Sequence, residues 1–434
     1  MSADRRSTRR LAIEGGRPVG NATVPSWPQL APRALAAVAA VLESGRWSLP
    51  GVRRGGPSAE ECFARRFGQF LGAPHCVPVN NGSAALVIAL EALDVGAGDE
   101  VIIPALTWVA NATSVLAVNA TPVMADIDPA TLCISATAIE AAITERTRAI
   151  VVVHLFSSVA DLDAITAIGK SLGIPVIEDC SHAHGASWRG RRAGTWGAVG
   201  TFSMQEQKLL TSGEGGAAVC QNPELYDRLY QLRSDGRRPR AHTVDGESDL
   251  LFDGSVSGTN YCMAQVCAAL LDAQLDLLSE QNDRRAKRAA VLDEVISAVP
   301  GATPVSALDG VTERTYYRYA LRIDPDGFDG VSAATLCRAL HAETGLPWQP
   351  AYPPLYRHPL YRPRTKRRFT GGGPSQRPAP DAYPEAERAH REIMTLQHPA
   401  LLAGPDAFDV LPAAFGKLRR HMARLRLIDR TGDA

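Results

Sequence analysis

The chain has 434 residues, more than one hydrophobic core usually holds, which predicts two or three domains or one large α/β domain with an appendage. Lys plus Arg and Asp plus Glu both total 46, so the formal net charge is zero. This balance argues against binding to nucleic acid or anionic membrane through overall charge. Small molecules or a second copy of the chain are the expected partners.

The eight cysteines are scattered along the chain and include no CxxC pair. They therefore do not form the dense framework of a disulfide-stabilised secreted protein. No segment reaches the roughly 18 to 20 apolar residues needed to span a bilayer, and residues 1–16 lack a signal-peptide core. We expect a cytoplasmic protein without a membrane span.

Between residues 71 and 219, short β-rich apolar runs alternate with amphipathic helical patterns, which predicts βαβ units around a mostly parallel sheet. The predicted strands are Cys76–Val79, Glu100–Ile103, Thr121–Ala125, Ala149–Val153, Pro175–Glu178, Gly200–Ser203 and Ala217–Cys220. The predicted helices are Ser83–Ala92, Asn111–Val118, Ala136–Ala142 and Leu162–Leu172, the last ended by Gly173.

Helical patterns at Asn222–Arg233 and Met263–Ala298 follow, and the second leads toward a separate C-terminal domain. The expected division is an N-terminal arm and large domain over residues 1–284 and a smaller α+β domain over residues 285–434. The elements predicted in the smaller domain are a strand at Tyr317–Ile323 and helices at Ala333–Glu343, Glu385–Thr395 and Leu411–Leu427.

A basic segment rich in Gly and Pro, Tyr356–Pro380, interrupts these elements and predicts a mobile loop. It is interpreted either as a solvated linker or as a lid over an anionic or polyhydroxylated substrate. In the second case Arg357 and Lys366 are candidate substrate-binding residues.

Two residues with catalytic potential follow predicted strands. Asp179 comes directly after a strand, at the end where open α/β sheets usually build their sites. Lys208 lies shortly after another strand and before a glycine-rich turn, residues 211–216. A lysine in a partly desolvated site favours the neutral amine, which can attack a carbonyl. A lone lysine is a weak signal, and the pairing with Asp179 strengthens it.

The segment Asn80–Ala85 ends a strand and opens a helix, so the first N–H groups of that helix, from Gly82, Ser83 and Ala84, face a potential anion such as phosphate. Ser203, five residues before Lys208, offers a hydroxyl to the same anion. An ordinary turn in which Ser83 caps the helix explains the local pattern equally well.

Trp108 follows a further strand end and is a candidate to stack on a flat ring, although a tryptophan in such an apolar context more often has a core role. His182, three residues after Asp179, is a candidate to bind a ring hydroxyl or else a structural histidine. His182, His184 and Cys180 make a weak metal-binding pattern, and we expect no metal site. Together these groups match what pyridoxal 5′-phosphate (PLP) needs: an amine for its aldehyde, an acid for its ring nitrogen, a stacking ring and phosphate donors.

Several motifs resemble the DegT/DnrJ sugar aminotransferases, which are PLP enzymes of fold type I. The resemblance covers nearly the whole chain, and residues 178–185 (EDCSHAHG), 202–205 (FSMQ) and 208–216 (KLLTSGEGG) are its most specific parts. It implies an α/β fold with a mostly parallel sheet, an aminotransferase activity and a PLP cofactor.

The resemblance also implies roles for single residues. Lys208 holds the cofactor as an imine and Asp179 faces the pyridinium, and both are assigned as catalytic. Further cofactor-binding residues are those at the phosphate, at the ring and from the dimer partner: Gly82, Ser83, Ala84, Ser203, Trp108, His182 and Asn260. Asn260 belongs to the segment GTNYCM, residues 258–263, in which Cys262 replaces the arginine usual in the family. A homodimer with shared active sites is expected.

Within the family, residues 11–16 (LAIEGG) and 126–132 (DIDPATL) are similar to the glutamine:scyllo-inosose aminotransferases of aminoglycoside biosynthesis. This subgroup implies transfer of an amino group from L-glutamine to a keto-cyclitol or keto-sugar. The alternative is a dehydratase and aromatase similar to the 3-amino-5-hydroxybenzoate synthases. Relatives that dehydrate sugars carry histidine in place of Lys208, so the lysine argues against that chemistry. The sequence shows no basic recognition helix, which argues against a DNA-binding regulator.

Overall fold

A seven-stranded sheet forms the centre of the molecule in the computed structural model, which describes residues 10–49, 55–240, 246–366, 369 and 381–431. The first nine strands in chain order are β1 (His75–Val79), β2 (Glu100–Pro104), β3 (Thr121–Ala125), β4 (Thr147–Val153), β5 (Val176–Asp179), β6 (Ser187–Trp188), β7 (Arg191–Arg192), β8 (Val199–Ser203) and β9 (Gly216–Cys220). The order in the large sheet is β1-β9-β8-β5-β4-β2-β3. Only β9 runs against its neighbours β1 and β8, so the predicted mostly parallel sheet is confirmed.

These strands are apolar along nearly their whole length, and every residue of β2 and β5 is buried. Such continuous burial is typical of parallel strands covered by helices. The helices of this part are Ala34–Ser44, Ala59–Leu71, Gly82–Ala92, Ala110–Ala117, Ala136–Ala142, Leu162–Leu172 and Pro223–Arg233. The first two of these helices were not predicted from the sequence. The helix Leu162–Leu172 ends as predicted at Gly173, which adopts a left-handed φ of 67°.

The C-terminal part contains an antiparallel four-stranded sheet of order β12-β14-β16-β15. The remaining strands are β10 (Arg238–Pro239), β11 (Leu250–Leu251), β12 (Ala302–Pro304), β13 (Val311–Glu313), β14 (Arg318–Ile323), β15 (Trp348–Pro350) and β16 (Ile393–Gln397). The helices are Gln265–Ser297, Ala333–Thr344, Pro384–Glu392, Leu411–Arg420 and Met422–Thr431. The predicted domain boundary at residue 285 falls inside the helix Gln265–Ser297 and stays a prediction.

Two C-terminal predictions were partly wrong. The predicted helix Glu385–Thr395 ends at Glu392, because the next residues form β16, which pairs with β14 and β15. The predicted helix Leu411–Leu427 is two helices separated at His421.

Only part of the basic segment Tyr356–Pro380 is described by the structure, since residues 367–368 and 370–380 lie outside the described residues. Arg357 makes an ion pair with Glu387, with 2.6 Å between Nη1 and Oε2, and neither Arg357 nor Lys366 lines the cavity described below. Within the described ranges, no helix combines the length and the apolar character needed to cross a bilayer.

Candidate active site

The carboxyl ends of β1, β2, β5 and β8 meet at one edge of the large sheet because these strands run in the same direction. A cavity of about 400 Å³ opens at this edge. The residues predicted as functional that line it are Gly82, Ser83, Trp108, Asp179, His182, Ser203 and Lys208. The fold therefore brings most of the predicted site residues together.

Lys208 is held in the connection between β8 and β9. The two strands pair up to Ser203 and Gly216, and the backbone N–H of Met204 then donates to the carbonyl of Gly215 at 2.8 Å. Because both ends of this connection are fixed, its middle is held against the cavity. Burial lowers the pKa of the Lys208 amine; Tyr317 and Asp179 oppose this shift, and the Arg318 cation adds to it. The amine is therefore neutral at a lower pH than that of an exposed lysine.

Asp179 ends β5, the middle strand of the large sheet, and only 6% of its surface is exposed. Its Oδ2 accepts a hydrogen bond from Asn111 Nδ2 at 3.0 Å, and its Oδ1 accepts one from the backbone N–H of Ser181 at 3.0 Å. Asn111 also donates to Thr107 Oγ1 at 3.1 Å. Donors on both oxygens fix the orientation of the carboxylate toward the cavity.

The helix Gly82–Ala92 points its N-terminus at the cavity, directly beside Ser203. A Cβ atom on Gly82 would lie 2.5 Å from Cβ and 2.9 Å from Cα of Ser203. Only glycine permits this close approach, which places two helix N–H groups and a hydroxyl at one point. Asn81 caps the helix by accepting the N–H of Ala84 at 2.8 Å, so the alternative interpretation from sequence, in which Ser83 is the cap, is wrong.

His182 is stacked against the ring of Tyr317, with 3.8 Å between the ring centres. Burial, together with the nearby Lys208 and Arg318 cations, lowers the pKa of His182 well below its ordinary value. The ring is therefore neutral. Its Nδ1 accepts the backbone N–H of Phe156 at 3.2 Å, which leaves the proton on Nε2 as a hydrogen-bond donor.

Trp108 is 44% exposed, which is unusual for a large apolar side chain that borders a cavity. Its ring centre lies 5.8 Å from that of Tyr352 and 5.5 Å from that of His358. The ring is thus supported from one side and accessible for stacking.

Sequence reasoning missed the groups that the C-terminal part adds to the cavity, which are Tyr317, Arg318 and Tyr352. The Lys208 Nζ lies 4.4 Å from the centre of the Tyr317 ring. Burial alone would raise the pKa of the Tyr317 phenol, but the Lys208 and Arg318 cations and a hydrogen bond with Tyr352 lower it below its ordinary value. The only sequence signal for Tyr317 and Arg318 was their place in a short run of tyrosines and an arginine beside a predicted strand. That run does not show which cavity the side chains enter.

Two predicted residues are not in the cavity lining. The N–H of Ala84 is already engaged by the Asn81 cap. Asn260 is exposed, and its Oδ1 accepts the backbone N–H of Cys262 at 3.1 Å. Cys262 in turn lies next to the buried guanidinium of Arg233, whose charge opposes the effect of burial on the thiol pKa.

The sequence suggested a weak metal-binding pattern of His182, His184 and Cys180. These three residues do not form a cluster of potential metal ligands in the described part of the chain. Potential metal ligands cluster instead at His154, Glu178 and Cys180, all buried. Glu178 there accepts backbone N–H groups from Gly194, Trp196 and Gly197 at 2.7 to 2.8 Å. A carboxylate that satisfies three buried backbone donors has a structural function.

The cavity fits PLP by the kinds of group present. It offers an amine of lowered pKa, a carboxylate fixed by two donors, a neutral imidazole donor, an accessible indole ring and a helix N-terminus beside a hydroxyl. The clash that any Cβ at Gly82 would cause shows that the helix N-terminus and Ser203 are pressed together, as a compact phosphate site requires.

Comparisons with known proteins agree with this arrangement. The family model described as the DegT/DnrJ/EryC1/StrS aminotransferase family matches residues 28–413. The chain is 46% identical to an L-glutamine:2-deoxy-scyllo-inosose aminotransferase of Streptomyces paromomycinus, over 96% of this chain and 99% of that protein. It is also 46% identical to an L-glutamine:scyllo-inosose aminotransferase of Streptomyces griseus, over 94% and 97% of the two chains.

Among solved structures, that of 3-amino-5-hydroxybenzoic acid synthase is similar, with a TM-score of 0.79 and 30% identity over 93% of this chain and 100% of the other. The α/β fold expected from the resemblance, fold type I with a mostly parallel sheet, is thereby confirmed.

Proposed function

Because the chain belongs to the DegT/DnrJ/EryC1/StrS aminotransferase family, we propose that it uses PLP to transfer the amino group of L-glutamine to the ketone carbon of a keto-cyclitol in aminoglycoside-like biosynthesis. The observation that carries the proposal is the meeting of Lys208 and Asp179 in one cavity at the carboxyl edge of the sheet. The names of the relatives support the donor and the class of acceptor.

Lys208 would bind the aldehyde of the cofactor, and Asp179 would hold a proton on its ring nitrogen. Gly82, Ser83 and Ser203 would bind the phosphate. The remaining assignments are His182 at the ring hydroxyl through its Nε2 proton, Trp108 stacked on the ring, Ala84 near the phosphate and Asn260 at the phosphate of the partner subunit.

PLP, when bound, supplies a conjugated cationic ring that accepts the electron pair left when a C–H bond beside the transferred nitrogen breaks. Lys208 Nζ, whose pKa burial lowers, would take the proton from Cα of the donor in the first half-reaction and pass it to the carbon that carried the cofactor's aldehyde. In the second half-reaction it would move a proton from that same cofactor carbon to the carbon that was the ketone of the acceptor. Asn111 and the backbone N–H of Ser181 keep Asp179 oriented throughout.

The alternative, dehydration and aromatisation of the 3-amino-5-hydroxybenzoate type, is not favoured. The relatives of 46% identity over nearly the full chain bear aminotransferase names, whereas the synthase is 30% identical.

The assembly proposed is a homodimer in which Asn260 serves the neighbouring site. Its exposure on the single chain supports this role, because an exposed residue remains available to a second copy. Analytical ultracentrifugation of the active enzyme tests it, and a fully active monomer would contradict it. We also propose a cytoplasmic location, which the scattered cysteines support, since none of them forms a disulfide in the structure.

An absorbance experiment tests the function. Purified wild type, Lys208→Ala and the control Lys170→Ala, an exposed helical lysine, are loaded with PLP and mixed with L-glutamine. We expect a band near ~400 to 430 nm, typical of PLP bound to a lysine, in the wild type and in the control. Glutamine should remove this band, and a keto-cyclitol should restore it. Lys208→Ala should lack both the band and the response.

A band that neither glutamine nor any other amino acid changes would contradict the aminotransferase proposal while leaving the lysine assignment intact. Absence of the band from the PLP-loaded wild type would contradict the cofactor itself.

A further inference from the structure

Arg318, the first residue of β14, is a buried cation that has no counter-ion among the described residues. It is 8% exposed, its Nε is buried without a partner, and its Nη1 makes one long hydrogen bond, 3.4 Å, to Thr395 Oγ1. The guanidinium also forms a hydrogen bond with the Tyr317 phenol, which helps to lower the pKa of that phenol. Its guanidinium carbon lies 5.2 Å from the ring centre of Tyr352 and 5.6 Å from that of Tyr317. Aromatic faces attract a cation but replace neither its hydration nor an anion.

Arg318 lines two connected spaces. One is the cavity that contains Lys208, and the other is a side chamber of about 270 Å³. Tyr317 and Gln207 also line both spaces, so Arg318 lies where they meet. The side chamber is otherwise bordered by the polar side chains of Glu206, Gln397 and His398 and by Trp27 and Pro399.

Arg285 provides an instructive comparison, because it is also fully buried and has no carboxylate partner in the described chain. Its guanidinium donates to Asn282 Oδ1 at 3.2 Å and to Gln281 Oε1 at 3.5 Å, both on its own helix. It does not line the cavity or the side chamber. The Nε of Arg285 is also buried without a partner, but the rest of its guanidinium is bonded to its own helix away from the site, whereas Arg318 borders the site itself.

We propose that Arg318 binds the α-carboxylate of the amino donor and that the side chamber receives the donor's side chain. The proposal rests on the proposed aminotransferase function and adds the residue that recognises the donor. A guanidinium binds a carboxylate through two parallel hydrogen bonds, and this geometry orients the neighbouring Cα. With the carboxylate at Arg318, the donor's amino group and Cα–H lie on the side of Lys208. The polar border of the chamber suits a carboxamide.

This assignment separates the two half-reactions. The donor carries a carboxylate, whereas a keto-cyclitol carries none, so removal of the guanidinium should impair the donor step more than the acceptor step. A purely structural role for Arg318 would impair both steps equally.

The test uses full-length enzyme loaded with PLP, as wild type, Arg318→Gln and Arg318→Lys, with Arg285→Gln as the control for loss of a buried cation. Rapid mixing measures how the rate of the absorbance change depends on the concentration of L-glutamine and of 4-aminobutanamide, which is glutamine without its α-carboxylate. In Arg318→Gln we expect the apparent Kd for glutamine to rise about 100-fold, the scale for truncating one partner of a buried charge pair. The Kd for 4-aminobutanamide should change less than threefold, and Arg318→Lys should recover part of the loss.

A second readout needs no turnover. Glutaramate, which is glutamine without its α-amino group, should bind the wild type in calorimetry and bind Arg318→Gln about 100-fold more weakly. Arg285→Gln should keep the wild-type affinity for glutaramate. Equal losses for glutamine and 4-aminobutanamide, or unchanged glutaramate binding in Arg318→Gln, would overturn the proposal.

Failure of the proposed function is recognisable separately. If another amino acid, and not glutamine, reacts with the wild type, the donor assignment fails, and the same comparison with that amino acid and its decarboxylated amine decides the role of Arg318. If no amino acid reacts, the aminotransferase proposal fails, and absence of glutaramate binding to the wild type then overturns the Arg318 assignment as well.

Discussion

Replacement of Gly82 by alanine tests the proposed phosphate site most directly. The added Cβ would lie 2.5 Å from Ser203 Cβ and 2.9 Å from Ser203 Cα. Ordinary carbon contacts begin about 1 Å farther apart, near ~3.5 Å. Because the second contact is with backbone, a new side-chain rotamer of Ser203 does not relieve it, and the helix N-terminus must move away from β8.

Overpacking of this kind costs about 1 to 3 kcal/mol of stability. Movement of the helix end also separates its N–H groups from the Ser203 hydroxyl, so at least one charge-assisted hydrogen bond to the phosphate is lost. Such a bond contributes about 1.5 to 3 kcal/mol, which corresponds to a roughly 10- to 100-fold weaker affinity for PLP.

The assay is fluorescence titration of the cofactor-free enzyme with PLP, accompanied by urea unfolding of the same sample. Gly96→Ala is the matched control, since a Cβ there meets nothing closer than 4.0 Å and its φ is not left-handed. The control should bind PLP like the wild type. Wild-type affinity in Gly82→Ala would refute the placement of the phosphate at this helix end.

Two further predictions concern groups around the cavity. Asn111→Leu removes the 3.0 Å hydrogen bond to Asp179, and we expect the rate constant of the glutamine half-reaction to fall about 10-fold or more in rapid mixing, since a bond to a charged group contributes about 1.5 to 3 kcal/mol. Thr107→Val removes only the hydroxyl that accepts the second hydrogen bond of Asn111, so its rate constant should stay within about threefold of the wild-type value. An equal effect of both variants would contradict the reasoning. Burial lowers the pKa of His184 from 6.5 to about 3, so below pH 6.5 the unfolded chain binds a proton that the native chain does not. The stability linked to His184 is thus present above pH 6.5 and is lost as the pH falls toward 3, by up to about 1.4 kcal/mol per pH unit. The free energy of unfolding, measured with urea at pH 6 and at pH 5, should change less with pH in His184→Leu than in the wild type, by about this amount. The same pH dependence in both proteins would contradict the reasoning.

The large sheet was predictable from sequence because its signals are local. Strand β5 is an apolar run after Gly173, and the helix Leu162–Leu172 ends where a glycine can adopt the left-handed conformation. Asp179 and Lys208 were found for the same reason, since each follows a strand whose end could be recognised in the chain.

The C-terminal part was harder to predict because its elements depend on distant partners. Residues Ile393–Gln397 continue a helical pattern, yet they form a strand because β14 offers five paired positions more than 70 residues away in sequence. Arg318 and Tyr352 reach the cavity only after this small sheet docks against the large one. No short-range pattern encodes that docking, so these residues were missed.

The 33-residue helix Gln265–Ser297 has a mechanical consequence for the site. It contains neither glycine nor proline and, at 1.5 Å per residue, is about 50 Å long. Its first half packs in the same apolar cluster as Phe202 of β8, and its second half packs in the cluster of the small sheet. This uninterrupted helix rigidly connects the strand that leads to Lys208 with the sheet that carries Arg318. The spacing between Lys208 and Arg318 is therefore set when this helix packs against both apolar clusters during folding.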